Sequence, residues 1–298
     1  MGKTSFRDEI AKNKRYSILL VILVSLVLFF LVYFIFLFLI PELVLFALPI
    51  SGFLIIIYAY SSYRYGDAVV LSTTGAKPAE GRQYQYLRDT VEGLSIASGI
   101  PPPKVYVIDS EDLNAFATGR NPENASIAVT TGLINSLDRQ ELEAVIGHEI
   151  AHIQNRDMLF MTLVAVLVGL AAIVSHLILR AFWFGARRDR RDRGGLMILL
   201  LIVGVILAIF APIAVRIIQF AISRKREYLA DASGVSLTRY PEGLASALEK
   251  ISLKNRGRID VSEAVSHLFF VDPKKSSLDS LFATHPPIRE RIKRLRAM

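Results

Sequence analysis

The chain has 298 residues, 52% of them hydrophobic, and a mean hydropathy of +0.41, more apolar than a soluble globule requires, so much of it is expected in lipid. It contains no cysteine, which excludes disulfides, thiolate metal sites and thiol nucleophiles and leaves His, Asp and Glu to hold any metal. The formal charge of +8 and pI near 9.7 come from basic residues clustered beside apolar segments, a juxtamembrane pattern, so no nucleic-acid partner is expected.

Residues 17–39 carry no formal charge and exceed the ~20 needed to cross the hydrocarbon core as a helix. Pro41 and Glu42 interrupt the run, and a second apolar run over 43–60 leads to Arg64, so the two read as a helical hairpin. The first run is too long for a signal-peptide core and shows no small-residue cleavage site, so it is expected to stay as an anchor. Lys3, Arg7, Lys12, Lys14 and Arg15 precede it, which places the N-terminus in the cytoplasm and returns the chain there at Arg64.

From Gly66 to about Asn155 the composition is mixed, as in a water-facing α+β unit. A helix is predicted over 82–97, ended by Gly99 and Pro101. Short β-like runs at 104–108, 114–118 and 126–130, separated by turn residues, predict a small sheet. Asp138 followed three residues later by Glu141 predicts a capped helix with Leu142, Val145, Ile146 and Ile153 as its buried stripe.

A third apolar run covers 158–179, so this helix is expected to continue into the membrane, and a fourth covers 196–215. Between them Arg187, Arg188, Arg190, Arg191 and Arg193 would lie outside on simple alternation, against the positive-inside tendency. Two readings are open: the N-terminal signal prevails, or the last two runs form a hairpin that does not fully cross. His176 and Arg216, within or at the edge of these runs, are assigned no role. The tail is again mixed, with helices predicted over 242–254, 261–269 and 288–296.

The capped helix carries Gly147-His148-Glu149-Ile150-Ala151-His152. Two imidazoles four residues apart share one helical face and can reach one ion, with Glu149 beside them to act on water. A catalytic zinc needs a third protein ligand and an open position. If the third and fourth runs are antiparallel helices and the fourth continues through Arg216 and Gln219 to Ile222, Glu227 returns to the level of His152: it lies five residues after Ile222 and His152 six before Met158, about 7.5 and 9 Å at ~1.5 Å per residue. Asp231, one turn after Glu227, is placed to accept the second ring N–H of a ligating His. The spacing of Glu227 and Asp231 alone equally suits a solvated helix face.

With those residues in place, GHEIAHIQNRD, SRKREYLADASG and FATHPPIRER resemble the HtpX-type membrane zinc metallopeptidases, relatives of the CAAX prenyl endopeptidases, over nearly the whole chain. The resemblance implies an α-helical membrane protein with an α+β gluzincin-like zinc peptidase domain, four transmembrane helices and a small β-sheet. Its expected division is a transmembrane hairpin (1–65), a cytoplasmic α+β part (66–157), a second hairpin (158–222) and a cytoplasmic helical part (223–298). It implies one zinc per chain on His148, His152 and Glu227, with Glu149 as base. It places an extended substrate along Asn114, Ala115, Phe116 and Ala117, and gives His285 and Arg291 to the oxyanion.

The expected activity is a multi-pass endopeptidase of the cell membrane, with its site on the cytoplasmic side. It would cleave misfolded membrane proteins and unfolded polypeptides in quality control and stress response. Its partners are polypeptide substrates and the bilayer, and the oligomeric state is not predicted. The alternative is a catalytically weak membrane protein of the same architecture that uses a structural zinc and binds partner proteins. Glu149 favours hydrolysis, because a structural site needs ligands but no base.

Overall fold

The computed structural model describes residues 44–159, 161–163, 165–166, 224–254, 265, 268–271 and 286–298, with isolated positions between 15 and 33. The fourth and most of the first and third apolar runs, the arginine-rich stretch, most of the helix predicted over 261–269, and His285 lie outside them.

Helix α1 (Val44–Thr73) contains the one stretch among the described residues long and apolar enough to cross a membrane, Leu45–Thr73, with a mean hydropathy of 1.8. Its early turns turn large apolar side chains outward: Leu45 is 85%, Phe53 64% and Ile56 70% exposed. Such a surface is stable in lipid rather than water. The helix does not stop near residue 60, as the apolar run suggested. It continues because Val70 and Leu71 find a second apolar partner, packing on Ile108, Phe116 and Ala128 of a sheet.

That sheet has β1 (Lys77–Pro78), β2 (Lys104–Ile108), β3 (Ala115–Gly119) and β4 (Ala125–Thr130) in the order β1-β2-β4-β3. β1 pairs antiparallel with β2, β2 parallel with β4, and β3 antiparallel with β4. The three longer strands fall within a residue of their predicted positions; β1 is too short for a periodic signal. Strand alternation sends Ala115, Ala117, Ile127 and Val129 into one apolar cluster and Phe116 and Ala128 into another, so both faces are covered. β3 is thereby an edge strand whose residues are all buried.

Helix α2 (Gln85–Ser98) follows a 3-10 turn over Arg82–Tyr84 and ends at Gly99, whose φ of 72° suits a residue without Cβ. After the short α3 (Thr131–Ser136) comes α4 (Arg139–Gln154), which starts with the predicted capping box. Asp138 accepts from the Glu141 amide and Glu141 accepts from the Asp138 amide, both at 2.9 Å. Between α4 and the third apolar run the helix is broken rather than continuous. It stops at Asn155, Arg156 takes a left-handed φ of 59°, and helical residues resume at 157.

The main neighbour of α4 is α5 (Arg224–Thr238). The two backbones approach closely at Gly147 and Gly234, where a Cβ on Gly234 would stand 2.9 Å from the His148 nitrogen. Helix α6 (Pro241–Lys254) packs Leu244, Leu248 and Ile251 into the same core, and α7 (Ile288–Leu295) closes it with Arg291 and Leu295.

Candidate functional site

The site forms where α4 crosses α5 beneath the β3 edge. One turn of α4 brings His148 and His152 onto the face that meets α5, and their Nε2 atoms stand 3.1 Å apart. From α5, Glu227 places one carboxylate oxygen 3.8 Å from His148 Nε2 and the other 3.6 Å from His152 Nε2. One ligand atom from each of the three lies within 4.8 Å of the others, and all three residues are buried.

Their outer partners fix what those atoms present. His148 Nδ1 lies 3.0 Å from Asp231 Oδ1, and His152 Nδ1 lies 3.2 Å from Asp157 Oδ2. A neutral imidazole has one N–H, so placing both protons on Nδ1 leaves both Nε2 lone pairs facing one point beside a carboxylate. Two electron pairs at this spacing repel; a proton on one Nε2 relieves that repulsion, and a metal cation can take the proton's place. Two donors on one tetrahedral zinc at ~2.0–2.1 Å would stand about 3.3 Å apart, close to the spacing of the rings. The donor set of two imidazole nitrogens and a carboxylate therefore fits zinc.

Each carboxylate behind a His is itself held by an arginine. Arg291 of α7 binds Asp231 through Nε at 2.9 Å and Nη2 at 2.7 Å, a bidentate pair, and its Nη1 donates to the Phe270 carbonyl at 3.3 Å. Arg226 Nη1 lies 3.8 Å from Asp157. Asp157 and Arg226 were not anticipated. On a continuous helix a residue five positions after His152 points elsewhere, and only the left-handed Arg156 brings Asp157 back to the ring. The sequence offers no local sign of that turn.

Burial and neighbouring charges divide the titrations. Burial takes His148 down to about 4 against the pull of Asp231. At His152 burial acts downward too, but Asp157, Glu227 and Glu149 outweigh it and raise the ring to about 9. Glu149 is pushed up to about 7 by burial, with His152 opposing and Glu227 adding to the rise, and it accepts a backbone hydrogen bond from Ala117. Burial also acts upward on Asp231, but the Arg291 guanidinium and His148 outweigh it and hold its carboxyl well below the usual range.

Of the four residues expected along the substrate, Ala117 lines the cavity beside His148, Glu149, His152 and Glu227. Ala115 turns its carbonyl outward on the β3 edge, where the Phe270 amide donates to it. Asn114 uses its carboxamide on Val271, and Phe116 packs on the opposite face of the sheet, edge-on to Phe269. His285 is outside the described residues.

Residues 81–298 match the model of "Peptidase family M48". Over its full length the chain is 44% identical to a protease HtpX homolog of Thermoanaerobacter pseudethanolicus, covering 99% of that protein, and 42% identical to one of Dictyoglomus thermophilum, covering 96%. A third, from Streptococcus uberis, is 42% identical over 98% of this chain and 99% of its own. The crystal structure of S. mikatae Ste24p matches 91% of the chain with a TM-score of 0.51 at 21% identity, a likeness of fold. This chain spans 62% of that one.

Proposed function

This chain belongs to peptidase family M48, and on that premise we propose that it is a membrane-embedded, gluzincin-type zinc endopeptidase of protein quality control, acting on misfolded membrane proteins and unfolded polypeptides. One observation carries the proposal: the two imidazole Nε2 atoms and the Glu227 carboxylate converge at one buried point with Glu149 alongside. In this reading His148, His152 and Glu227 hold one zinc per chain. Zinc bound there supplies Lewis acidity, which polarises a peptide carbonyl and makes water more acidic.

The protein's own groups do the rest. Glu149, buried beside the three candidate ligands, takes a proton from the attacking water and returns it to the leaving amine. The Ala117 hydrogen bond holds that carboxylate in place. Asp231 and Asp157 keep the ring protons on Nδ1. Arg291 holds Asp231, donates to the Phe270 carbonyl and places its Nη1 3.8 Å from the Glu227 carboxylate, so its charge bears on the ligand set directly as well as through Asp231. His285 keeps the oxyanion role that the resemblance gave it. Asn114, Ala115, Phe116 and Ala117 receive the substrate backbone as an added strand. Four transmembrane helices, with the N-terminus and the site on the cytoplasmic side, complete the reading.

Hydrolysis of casein by detergent-purified protein with added zinc, beside Glu149→Gln and a chelator control, tests the proposal. Cleavage by the wild type alone, abolished by chelation, is expected. Stoichiometric zinc without cleavage would shift the reading to the structural-metal alternative.

A further inference from the structure

An extended polypeptide adds to a sheet by hydrogen-bonding an exposed strand edge. Among the described residues the outer edge of β3 lies beside Glu149, and part of it is already occupied by another stretch of this chain. The Phe270 amide donates to the Ala115 carbonyl at 2.8 Å. The Asn114 carboxamide meets Val271 in both directions, Nδ2 donating to its carbonyl at 2.7 Å and Oδ1 accepting from its amide at 3.1 Å. One is a backbone bond of the kind one strand gives another; in the other two the Asn114 carboxamide stands in for a peptide group, and its partner is 157 positions away in sequence.

The side chains of that stretch fill the space beside the candidate zinc ligands. The Phe270 ring stands edge-on to His148 with centroids 4.8 Å apart, and the Arg291 guanidinium lies 4.7 Å from its centroid. Phe269 meets Phe116 edge-on at 5.0 Å, and Leu268, Phe269 and Phe270 are all buried. With them in place the cavity against His148, Glu149, His152 and Glu227 holds about 10 Å³, the scale of one water molecule. Pockets that enclose a ligand run from roughly 300 Å³ upward.

Resting on the peptidase reading, we propose that residues 268–271 occupy the place of the substrate on the β3 edge, and that an entering polypeptide must displace them. The exchange selects its substrate. The bonds that the Ala115 carbonyl and the Asn114 carboxamide make to backbone groups can be remade by any extended chain, but the apolar contacts of Phe269 and Phe270 are restored only by a segment bringing bulky apolar or aromatic side chains. Such segments are exposed in unfolded proteins and buried in folded ones. The substrate class is therefore extended, aromatic-rich unfolded polypeptide. Its apparent affinity is lowered by the fraction of molecules in which residues 268–271 remain docked.

Two variants loosen the docked stretch: Phe270→Ala removes the ring beside His148, and Val271→Pro removes the amide bound by Asn114. In zinc-loaded protein each is expected to raise kcat/KM on casein several-fold, mainly by lowering KM. Val271→Pro decides if Phe270→Ala fails to fold. Hydrogen exchange in zinc-loaded Glu149→Gln gives a readout independent of turnover: casein should strip protection from the Phe270 and Val271 amides. Unchanged or lower kcat/KM in a folded variant while the wild type cleaves would overturn the displacement and leave the peptidase standing. A wild type that cleaves nothing would instead count against the peptidase reading, and the exchange experiment then decides the displacement, retained protection overturning it.

Discussion

Two histidines at i and i+4 are common on helices; what distinguishes His148 and His152 is what stands behind each ring. His148 is backed by Asp231 and Arg291, and His152 by Asp157 and Arg226, two arrangements that both turn an Nε2 atom to the same point. A carboxylate behind a ligating imidazole fixes its tautomer and raises its basicity, and losing one typically costs 10–100-fold in metal affinity. Asp157→Ala is therefore expected to weaken zinc binding by about that factor in a competition titration. Asp157→Asn, which can still accept from the Nδ1 proton, should recover part of it. Glu227→Ala removes a candidate ligand itself and should abolish stoichiometric zinc, whereas Glu149→Gln should retain zinc and lose turnover by about 10²–10⁴-fold. Full zinc content in Glu227→Ala would remove that residue from the ligand set.

At the scale of elements, the site depends on how closely α4 and α5 approach. Gly147 and Gly234 make that crossing: a Cβ at Gly234 would lie 2.9 Å from the His148 nitrogen and 3.1 Å from its Cα, both backbone atoms that cannot swing aside. Gly234→Ala is expected to destabilise the fold by about 1–3 kcal/mol, the usual range for overpacking. It should also move Glu227 away from the histidine pair, so thermal stability and zinc affinity should fall together. Unaltered values of both would show that the helices can part without disturbing the site. The start of α4 is independently secured by the Asp138 and Glu141 capping box. The Glu141 carboxylate also accepts from Ser246 and Lys250 of α6 at 2.6 Å, tying the helix that carries the histidines to the C-terminal part of the chain.

For the whole molecule, α4, α5, α7 and the end of β3 converge only in the folded state, so a metal bound by the site binds the native protein and not the unfolded chain. Linkage then requires that zinc raise thermal stability, by about 2.7 kcal/mol at a free concentration one hundred times Kd. Scanning calorimetry in detergent should show a Tm that falls on chelation and recovers with added zinc. A Tm insensitive to both would argue against these residues as the metal site. Helix α1 joins the two environments within one continuous element, leaving apolar side chains outward in its first turns and burying Val70 and Leu71 against the sheet in its last. Because the chain has no cysteine, single cysteines introduced before residue 17 and between 187 and 193 can be labelled from each side of the membrane. A cytoplasmic N-terminus is expected, and labelling of that end from outside would reverse the proposed topology.

The amino-acid sequence by itself determined the features that depend on neighbours within a few residues. Three strands followed from their β character and turn residues, the start of α4 from Asp138 and Glu141, and the shared face of His148 and His152 from helical spacing. Glu227 and Asp231 were legible from their one-turn spacing together with the family resemblance, and both stand beside His148 in the fold. Tertiary structure alone decided the rest. Asp157 reaches His152 through a left-handed turn at Arg156, a conformation no residue preference announces. Arg291 meets a carboxylate 60 positions away, and residues 269–271 meet a strand more than 150 positions away. Such contacts follow from the path of the whole chain and the apolar surface it buries, which local periodicity does not encode.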